Sequence, residues 1–426
     1  MSNELISKKS IHPLAIEACH TLQNAGFQAF IVGGCVRDLI MQSVPKDWDI
    51  TTNALPEQVI KLFPKNYPTG LQHGTVTVAL GSGVENHFEI TTFRTEGTYK
   101  DGRRPEEVFF VNNIDLDLSR RDFTINSMAF DPINGHLIDP FNGISDLKEG
   151  IIKAVGSPIE RFTEDGLRIM RAARFAARFG FEIEKETINA MGECLETLKK
   201  VSKERIKDEF CKTLMTNHST VGFNILLQTG VLDIICPVLT SKPPYTGMIR
   251  TLSSCQSELE TRIAMLYSNC PSFLIKQIEQ ELINLKFSNK ELKQIYFLLE
   301  LDAKFFKLIS LDGWSKEGFI AFIAHIKNEM GDEWEHTMKE FIKLMEPISF
   351  LQKDKLSQYH QQTVLSKKEM NIDGNDLISL GIKPGPQIKI VLNLCYEEIL
   401  YNPNNNTKEY LIELVNSLIN IEAEAH

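Results

Sequence analysis

The chain has 426 residues, with 46 Lys plus Arg against 56 Asp plus Glu and a formal net charge of −10. At roughly 100 to 200 residues per domain this length predicts two to four domains, and 42% hydrophobic with 24% charged residues excludes collagen-like, mucin-like and wholly disordered chains. The acidic balance excludes a global basic field, so a nucleic-acid site has to be a local patch; no apolar run nears the roughly 18 to 20 residues of a membrane span, no signal-peptide core opens the chain, and a cytoplasmic protein is expected.

The first predicted element is a helix over 11–25, with apolar Leu14, Ile16, Ala18 and Leu22 at helical spacing and Gly26 as its stop. A strand over 27–32 runs into Gly33-Gly34, and helical spacing resumes over 36–41, so the glycines lie in a strand-to-helix turn. The β-rich runs 48–52, 75–80 and 87–92 suggest one sheet with the first strand. From Ser157 onward Gly and Pro thin out, and helices are expected over 167–179, 203–215 and 258–267. Lys- and Glu-rich helices follow over 276–299 and 332–344 with solvated outer faces. A turn at 381–386 precedes a helix over 388–400, and the last dozen residues are expected to fray. No fixed-period repeat is present. The fold class is therefore α+β, with a mixed sheet-and-helix head followed by all-helical segments, divided at 11–150, 151–215, 216–300 and 301–426.

The eight cysteines are scattered, without a Cys-x-x-Cys pair or a Cys/His cluster at zinc-ligand spacing, and read as reduced, buried thiols. The chain has no His-Asp dipeptide of the kind that anchors metal-dependent phosphohydrolases. The sequon at Asn405 reads as a solvated turn.

The strongest constellation is Gly33-Gly34-Cys35-Val36-Arg37-Asp38 followed by Lys46-Asp47-Trp48-Asp49-Ile50. Glycines after a strand let backbone approach a phosphate, the next helix aims N–H groups at it, and Arg37 adds a cation one turn on, so Gly34 and Arg37 are candidates for holding a triphosphate. Asp47 and Asp49, two residues apart in an extended segment, point to one face and can share hard divalent cations, with Mg²⁺ the natural choice. Paired cations on shared carboxylates suit phosphoryl or nucleotidyl transfer.

In this order and spacing the pattern resembles the nucleotidyltransferase fold of the DNA polymerase beta superfamily, and Gly-Gly-x-Val-Arg-Asp narrows it to the class II tRNA nucleotidyltransferase and bacterial poly(A) polymerase family. The resemblance implies a third carboxylate, for which Glu89 in a neighbouring strand is the candidate. It continues through Arg120-Arg121-Asp122-Phe123-Thr124-Ile125-Asn126, a block that in the family contacts ribose and phosphates, which implies those roles for Arg121 and Asp122.

A third cluster, Thr163-Glu164-Asp165-Gly166-Leu167-Arg168, reads as a helix opening with a Thr cap and an acidic first turn that places Glu164, Asp165 and Arg168 on one face. An Asp accepts and an Arg donates, so together they complement a base edge with an amino group beside a ring-nitrogen acceptor. Cytosine and adenine have that edge; uracil and guanine reverse it. In class II tRNA nucleotidyltransferases the similar Glu-Asp-x-x-Arg motif is assigned this selection of CTP and ATP. The resemblance implies that Asp165 and Arg168 read the base, Glu164 braces Arg168, and Arg171 and Arg174 contact the triphosphate.

Residues 93–105 are similar to the family's flexible loop for adding the terminal A, 139–147 to its interdomain hinge with Gly143 as pivot, 202–212 to a structural neck motif, and 372–377 with 381–386 to the tail that holds the tRNA elbow. The expected activity is addition of C, C and A to the 3′ end of tRNA by a polymerase-beta-like head, with helical neck, body and tail. A poly(A) polymerase, a CC-only or A-only enzyme, and a catalytically silent RNA-binding protein stay open as alternatives, as does the oligomeric state.

Overall fold

The computed structural model describes residues 5–83, 86–97, 108–241, 249, 252–254, 257–268, 272–312, 316–345 and 366–424. The chain forms two compact units, Met1–Ile249 with Asn284–Lys286, and Arg250–Ile283 with Phe287–His426.

The first unit opens with α1 (Pro13–Asn24), whose buried stripe is Ala15, Ala18, Cys19 and Leu22; Ala18 and Leu22 are as the helical period predicts, while Leu14 and Ile16 are only half-buried at its edges. It is followed by β1 (Ala29–Val32), α2 (Gly34–Ile40), β2 (Asp49–Thr52), α3 (Pro56–Leu62), β3 (Asn66–Gly70), β4 (Thr75–Ala79) and β5 (His87–Thr92). A hairpin of β6 (Arg94–Glu96) and β7 (Val108–Phe110) leads to α4 (Ile114–Ser119), β8 (Ala129–Asp131) and β9 (His136–Ile138). Seven strands form one sheet in the order β3-β4-β5-β2-β1-β8-β9. The predicted β-rich runs are therefore strands of one sheet. The short β3, β8 and β9 were not legible, because three to five residues carry little alternation, and β3 and β8 also contain Pro, Gly or Asp.

Strand alternation divides the sheet faces. Ile50, Val76, Val78, Phe88 and Ile90 are buried against α1 and α3 in the main core, together with Leu22, Val59 and Phe63. Their neighbours Asp49, Thr77 and Glu89 point to the other face. Register places the chemistry: Asp49 pairs with Glu89 across the parallel β2–β5 ladder, and β1 pairs antiparallel with both β2 and β8, Ile31 opposite Ile50 and Val32 opposite Ala129. The C-terminal end of β1, the start of β2 and the approach to β8 thus meet around Gly33.

The unit continues with α5 (Gly143–Glu149), the short parallel pair β10 (Ile151–Ile152) and β11 (Glu182–Ile183), α6 (Pro158–Glu164), α7 (Leu167–Phe179), α8 (Lys185–Glu193), α9 (Leu195–Leu198), α10 (Lys203–Leu214) and α11 (Ser219–Gln228). Small Ala172, Ala173, Ala176 and Ala177 on α7 let other helices approach closely. A Cβ on Gly222 of α11 would stand 2.8 Å from the Ala177 Cβ and 3.1 Å from the Ala173 carbonyl.

The second unit is helical: Leu259–Leu266, Ile275–Asn284, Asn289–Asp312, Lys316–Met330, Trp334–Met345, Gly374–Ser379, Pro386–Tyr401 and Lys408–Glu424. The single helix expected over 276–299 is broken, with Lys286 in the left-handed region at φ 68° between its two halves. The last helix continues to Glu424 where fraying was expected. Phe305, Phe322 and Phe341 pack with ring centroids 5.2 to 5.4 Å apart at the centre of this unit. Both tail motifs are helix starts: Asp373 caps the first, accepting from the N–H groups of Asn375 and Asp376, and Pro386 begins Pro386–Tyr401 without a side-chain cap. None of the described helices is long and apolar enough to cross a membrane.

Candidate active site

A cavity of about 500 Å³ in the first unit is lined by the β1–α2 turn, the carboxylates before and at the start of β2, the segment after α4, and one face of α7. It gathers Gly34, Arg37, Asp47, Asp49, Arg121, Asp122, Asp165, Arg168, Arg171 and Arg174, which are all the expected site residues but one. Glu89 does not line the cavity. It stands in register beside Asp49 on the adjoining strand and shares its face.

Asp47 and Asp49 both keep solvent-accessible surface, Asp49 where it opens on the cavity, with protein packed around the rest of its carboxyl. Among the described residues neither carboxylate enters an ion pair or hydrogen bond. Burial by the surrounding protein raises the Asp49 carboxyl above the usual carboxylate range, Glu89 and Asp47 push it the same way, and Arg121 opposes them. Unpaired, mutually repelling oxygen donors fit a hard divalent cation. No three such groups among the described residues converge tightly enough to enclose an ion alone, so water and substrate phosphates would complete the shell, as Mg²⁺ prefers.

Gly33 rather than Gly34 is the turn's required glycine. Its φ of 80° disfavours a side chain, and a Cβ would lie 2.8 Å from Arg121 Nη1. Arg121 crosses this bare backbone and reaches Asp117 at 3.4 Å, while its Nε is buried without a hydrogen-bond partner. Asp117 is fully buried and also accepts from Arg120 Nε and Nη2 at 3.0 and 2.8 Å. It orients both arginines and went unnoticed in the sequence, although its i,i+3 and i,i+4 spacing to them is a readable signal.

Arg37 is buried, and its guanidinium is engaged within the protein. It donates to Asp38 Oδ1 from Nε and Nη2 and to Asn126 Oδ1 from Nη1. This geometry makes it a strut between α2 and the 120–126 segment. Asp122 is equally committed, accepting from Arg171 Nε and Nη2 at 2.8 and 2.5 Å, from Asn126 at 3.1 Å and from the Phe123 N–H at 2.8 Å. Burial alone would raise the Asp122 carboxyl, but Arg171 and Asn126 hold it at about 2. Because that value lies below its ordinary 3.8, the stabilisation, about 2 kcal/mol, is complete above pH 4 and is lost as the pH falls from about 4 to 2. Acid unfolding of Asp122→Asn is expected to lose this part of its pH dependence.

The expected helix opening at Thr163 is corrected by the structure. Thr163 lies inside α6, which ends at Glu164; Asp165 is extended, and α7 begins at Leu167. The break is at Asp165, whose backbone is extended at φ −140° and ψ 104°, and at Gly166, where a Cβ would stand 2.5 Å from the Thr197 carbonyl carbon, the chain passes directly against that backbone. Asp165 itself caps α7, its Oδ1 accepting from the Leu167 N–H at 3.0 Å. Glu164 still meets Arg168 at 2.5 Å, but across the turn rather than along one helix. Arg168 also donates to the carbonyls of Arg161 and Arg120, and Asp165 is held by Arg205 at 2.8 Å.

Comparison with known proteins follows this geometry. Residues 29–153 match the Poly A polymerase head domain, 180–242 the RNA and SrmB-binding site of polymerase A, and 256–415 tRNA nucleotidyltransferase domain 2. The CCA-adding enzyme of Lactobacillus delbrueckii subsp. bulgaricus is 37% identical over 405 residues, covering 94% of this chain and 96% of that one. The chain belongs to the CCA-adding enzyme family. The family's Lactobacillus helveticus member is also 37% identical, over 410 residues, 95% of this chain and 96% of that one. Among solved structures, the Bacillus stearothermophilus CCA-adding enzyme in complex with CTP matches with a TM-score of 0.73 at 26% identity, over 98% of this chain and all of that one.

Within the CCA-adding architecture, α7 carries a cationic face supported by aromatic rings. Phe175 lies under three guanidiniums, those of Arg174 at 4.3 Å, Arg171 at 5.3 Å and Arg37 at 5.5 Å. Phe179 stacks on it with parallel rings and carries Arg37 and Arg178. Glu209 of α10, from the motif read as structural, fixes Arg174 at 2.5 Å and approaches Arg171 at 3.8 Å. Arg205 and Glu209 were read only as parts of a structural neck motif, because their partners Asp165 and Arg174 are far away in the sequence, and Phe175 was not singled out, although its spacing to Arg171 on the same helix is a local signal. Phe175→Leu is expected to raise the KM for CTP and ATP about tenfold with little change in kcat, since cation–π contacts contribute about 0.5 to 1 kcal/mol each when exposed and more when desolvated. Steady-state kinetics with each nucleotide checks this, and an unchanged KM would leave the carboxylates as the sole orienting groups.

The remaining motifs divide. Of the expected flexible loop, residues 98–105 lie outside the described residues. Gly143, expected as a pivot, is where a Cβ would sit 2.3 Å from the Thr124 carbonyl oxygen, so close packing alone requires the glycine. Asp139 accepts from the Gly143 and Ile144 N–H groups and fixes this start of α5.

Proposed function

We propose that this protein adds C, C and A to the 3′ end of tRNA without a nucleic-acid template. The observation that carries the reading is that one cavity holds the unpaired carboxylates Asp47 and Asp49, the arginine face of α7, and the Asp165 and Arg168 side chains together. In this reading Asp47 and Asp49 hold Mg²⁺, with Glu89 as the third carboxylate. A cation bound there supplies Lewis-acid stabilisation of the attacking and leaving oxygens. Arg171 and Arg174 bind the triphosphate, Gly33 and Gly34 let backbone approach it, and Arg121, with its unpartnered buried Nε, reaches it from beside Gly33. Arg37 and Asp122 position these groups and touch the nucleotide through whatever capacity their protein bonds leave. Asp165 and Arg168 read the base edge, each held in place by partners outside the cavity's centre.

The tRNA 3′ hydroxyl attacks the α-phosphate of CTP twice and then of ATP, releasing pyrophosphate each time. Residues 372–386 are assigned to tRNA binding, and the protein to the cytoplasm. The test is extension of a tRNA transcript lacking its 3′ end, with Mg²⁺ and each nucleotide singly and in pairs, at single-nucleotide resolution. Three additions requiring CTP and then ATP are expected. A ladder with ATP alone would make this a poly(A) polymerase, stopping after CC or adding A alone would make it a partial enzyme, and no extension with RNA still bound would leave a binding protein.

A further inference from the structure

In-line displacement puts the nucleophile opposite the leaving pyrophosphate. Asp49 begins β2, which lies between β1, whose end carries Gly33, and β5, which carries Glu89. The cavity's arginines come from α2, the segment after α4, α7 and α10 and none from β3, β4 or β5, so the triphosphate of the reading above belongs on the β1 side of Asp49. The attacking hydroxyl therefore has to approach Asp49 from its other side, over Glu89.

Among the described residues, that side is a solvent-exposed sheet face with a definite row of residues. Asp49 is paired with Glu89, Glu89 with Thr77 and Thr77 with Tyr67, and directly paired residues point to the same face. His87, two residues before Glu89, joins this face and pairs with Ala79. Because Ala79 is small, the Tyr67 and His87 rings meet over β4 with centroids 5.5 Å apart and planes at 47°. The two faces contrast sharply in exposure: Phe88, Ile90, Val76 and Val78 are at most 1% exposed, whereas Tyr67 is 50% exposed and Glu89 and His87 are also solvent-facing. Tyr67 lies two strands from Glu89, about 10 Å at ordinary strand spacing, which one or two nucleotides can span.

We propose that this face, ending in the Tyr67–His87 ring pair, is a stacking platform for the 3′-terminal bases of the acceptor RNA. The inference rests on the nucleotide-addition reading and extends it to the second substrate. Single strands bind this way without base preference, since every base offers a π-face. That tolerance suits a strand whose last bases change as it grows. The row carries carboxylate, hydroxyl and rings but no guanidinium, so it would position the terminus while the main hold on RNA lies elsewhere.

The test uses the full chain and a tRNA transcript with 2-aminopurine as its penultimate base and a 3′-deoxy end that prevents turnover. Wild type and Tyr67→Phe are expected to quench the fluorescence on binding, and Tyr67→Ala to lose most of that quenching. In extension assays the RNA KM of Tyr67→Ala should rise about 5- to 100-fold with the CTP KM unchanged, and His87→Ala should show a smaller shift in the same direction. Equal quenching and an equal RNA KM in Tyr67→Ala overturn the platform. Extension by the wild type is measured alongside: if it is absent, the nucleotide-addition reading fails, and if it is present, the ring result judges the platform alone.

Discussion

Asp49→Asn is expected to abolish nucleotide addition, lowering kcat by about 10³-fold or more while RNA and CTP binding stay within a few-fold of wild type. Loss of the metal's stabilisation at the attacking and leaving oxygens removes several kcal/mol, and each 1.36 kcal/mol is tenfold in rate. The substitution preserves volume, and the Asp49 carboxylate opens on the cavity and accepts no hydrogen bond from the described residues, while its backbone carbonyl, which accepts from the Cys35 thiol, is unchanged, so the fold should tolerate it. The raised Asp49 carboxyl has a second consequence. Its burial and its neighbours Glu89 and Asp47 disfavour the charged form, so a cation that binds the folded chain relieves repulsion and stabilises it. Mg²⁺ should therefore raise the melting temperature of the wild type and not that of Asp49→Asn, a readout independent of turnover. The pH sign follows: activity rises as Asp49 ionises, the metal-free carboxyl is raised by burial and its acidic neighbours, and a bound cation favours the ionised form, so this limb should move to lower pH as Mg²⁺ is raised. Retained addition, or an undiminished Mg²⁺ shift in the variant, would remove Asp49 from the metal site.

Much of this site was legible because its elements carry local signals. Gly33-Gly34 after a strand, Asp47 and Asp49 at two-residue spacing, and the arginines of 168–178 each announce themselves within a few residues, and β5 and α7 fall within the predicted bounds. What could not be read is which polar side chain engages which. Arg37 and Asp122 look like ligand-binding groups in the sequence, yet each is committed to protein partners: Arg37 to Asp38 and Asn126, Asp122 to Arg171 and Asn126. Those partners are set by the β1–β8 pairing and the packing of α7, neither of which a local pattern encodes. The helix expected at Thr163 breaks at Asp165, which is extended; Asp165-Gly166 is a poor helical pair, a local signal the capping pattern outweighed, and the packing of Gly166 against the Thr197 backbone was not legible. The same break leaves Asp165 at the head of α7, an acceptor with fixed direction, where a continuous helix would have placed it on a rotating surface.

That fixed direction underlies the second large effect. Asp165→Asn is expected to relax nucleotide choice, narrowing discrimination between CTP and UTP by about 10²-fold. An aspartate can only accept, so it suits the amino group of cytosine or adenine and meets the uracil carbonyl with repulsion; an asparagine amide can turn its NH₂ toward that carbonyl. Sites that hydrogen-bond a base edge reject the wrong edge strongly, because their own groups are left unpaired. Placement has to be separated from chemistry, since Asp165 also receives Arg205 and the Leu167 N–H. Arg205→Gln weakens the hold on Asp165 but leaves it an acceptor, so its KM for CTP should rise while UTP and GTP are still rejected. Arg168 is a poorer probe. Its replacement would strand Glu164 and the carbonyls of Arg161 and Arg120 and confuse specificity with stability. Misincorporation assays with all four nucleotides on the same RNA distinguish these outcomes. Unchanged rejection of UTP and GTP by Asp165→Asn would show that the base is read elsewhere, and relaxed choice in Arg205→Gln as well would show that selection depends on where the carboxylate stands and not only on what it can accept.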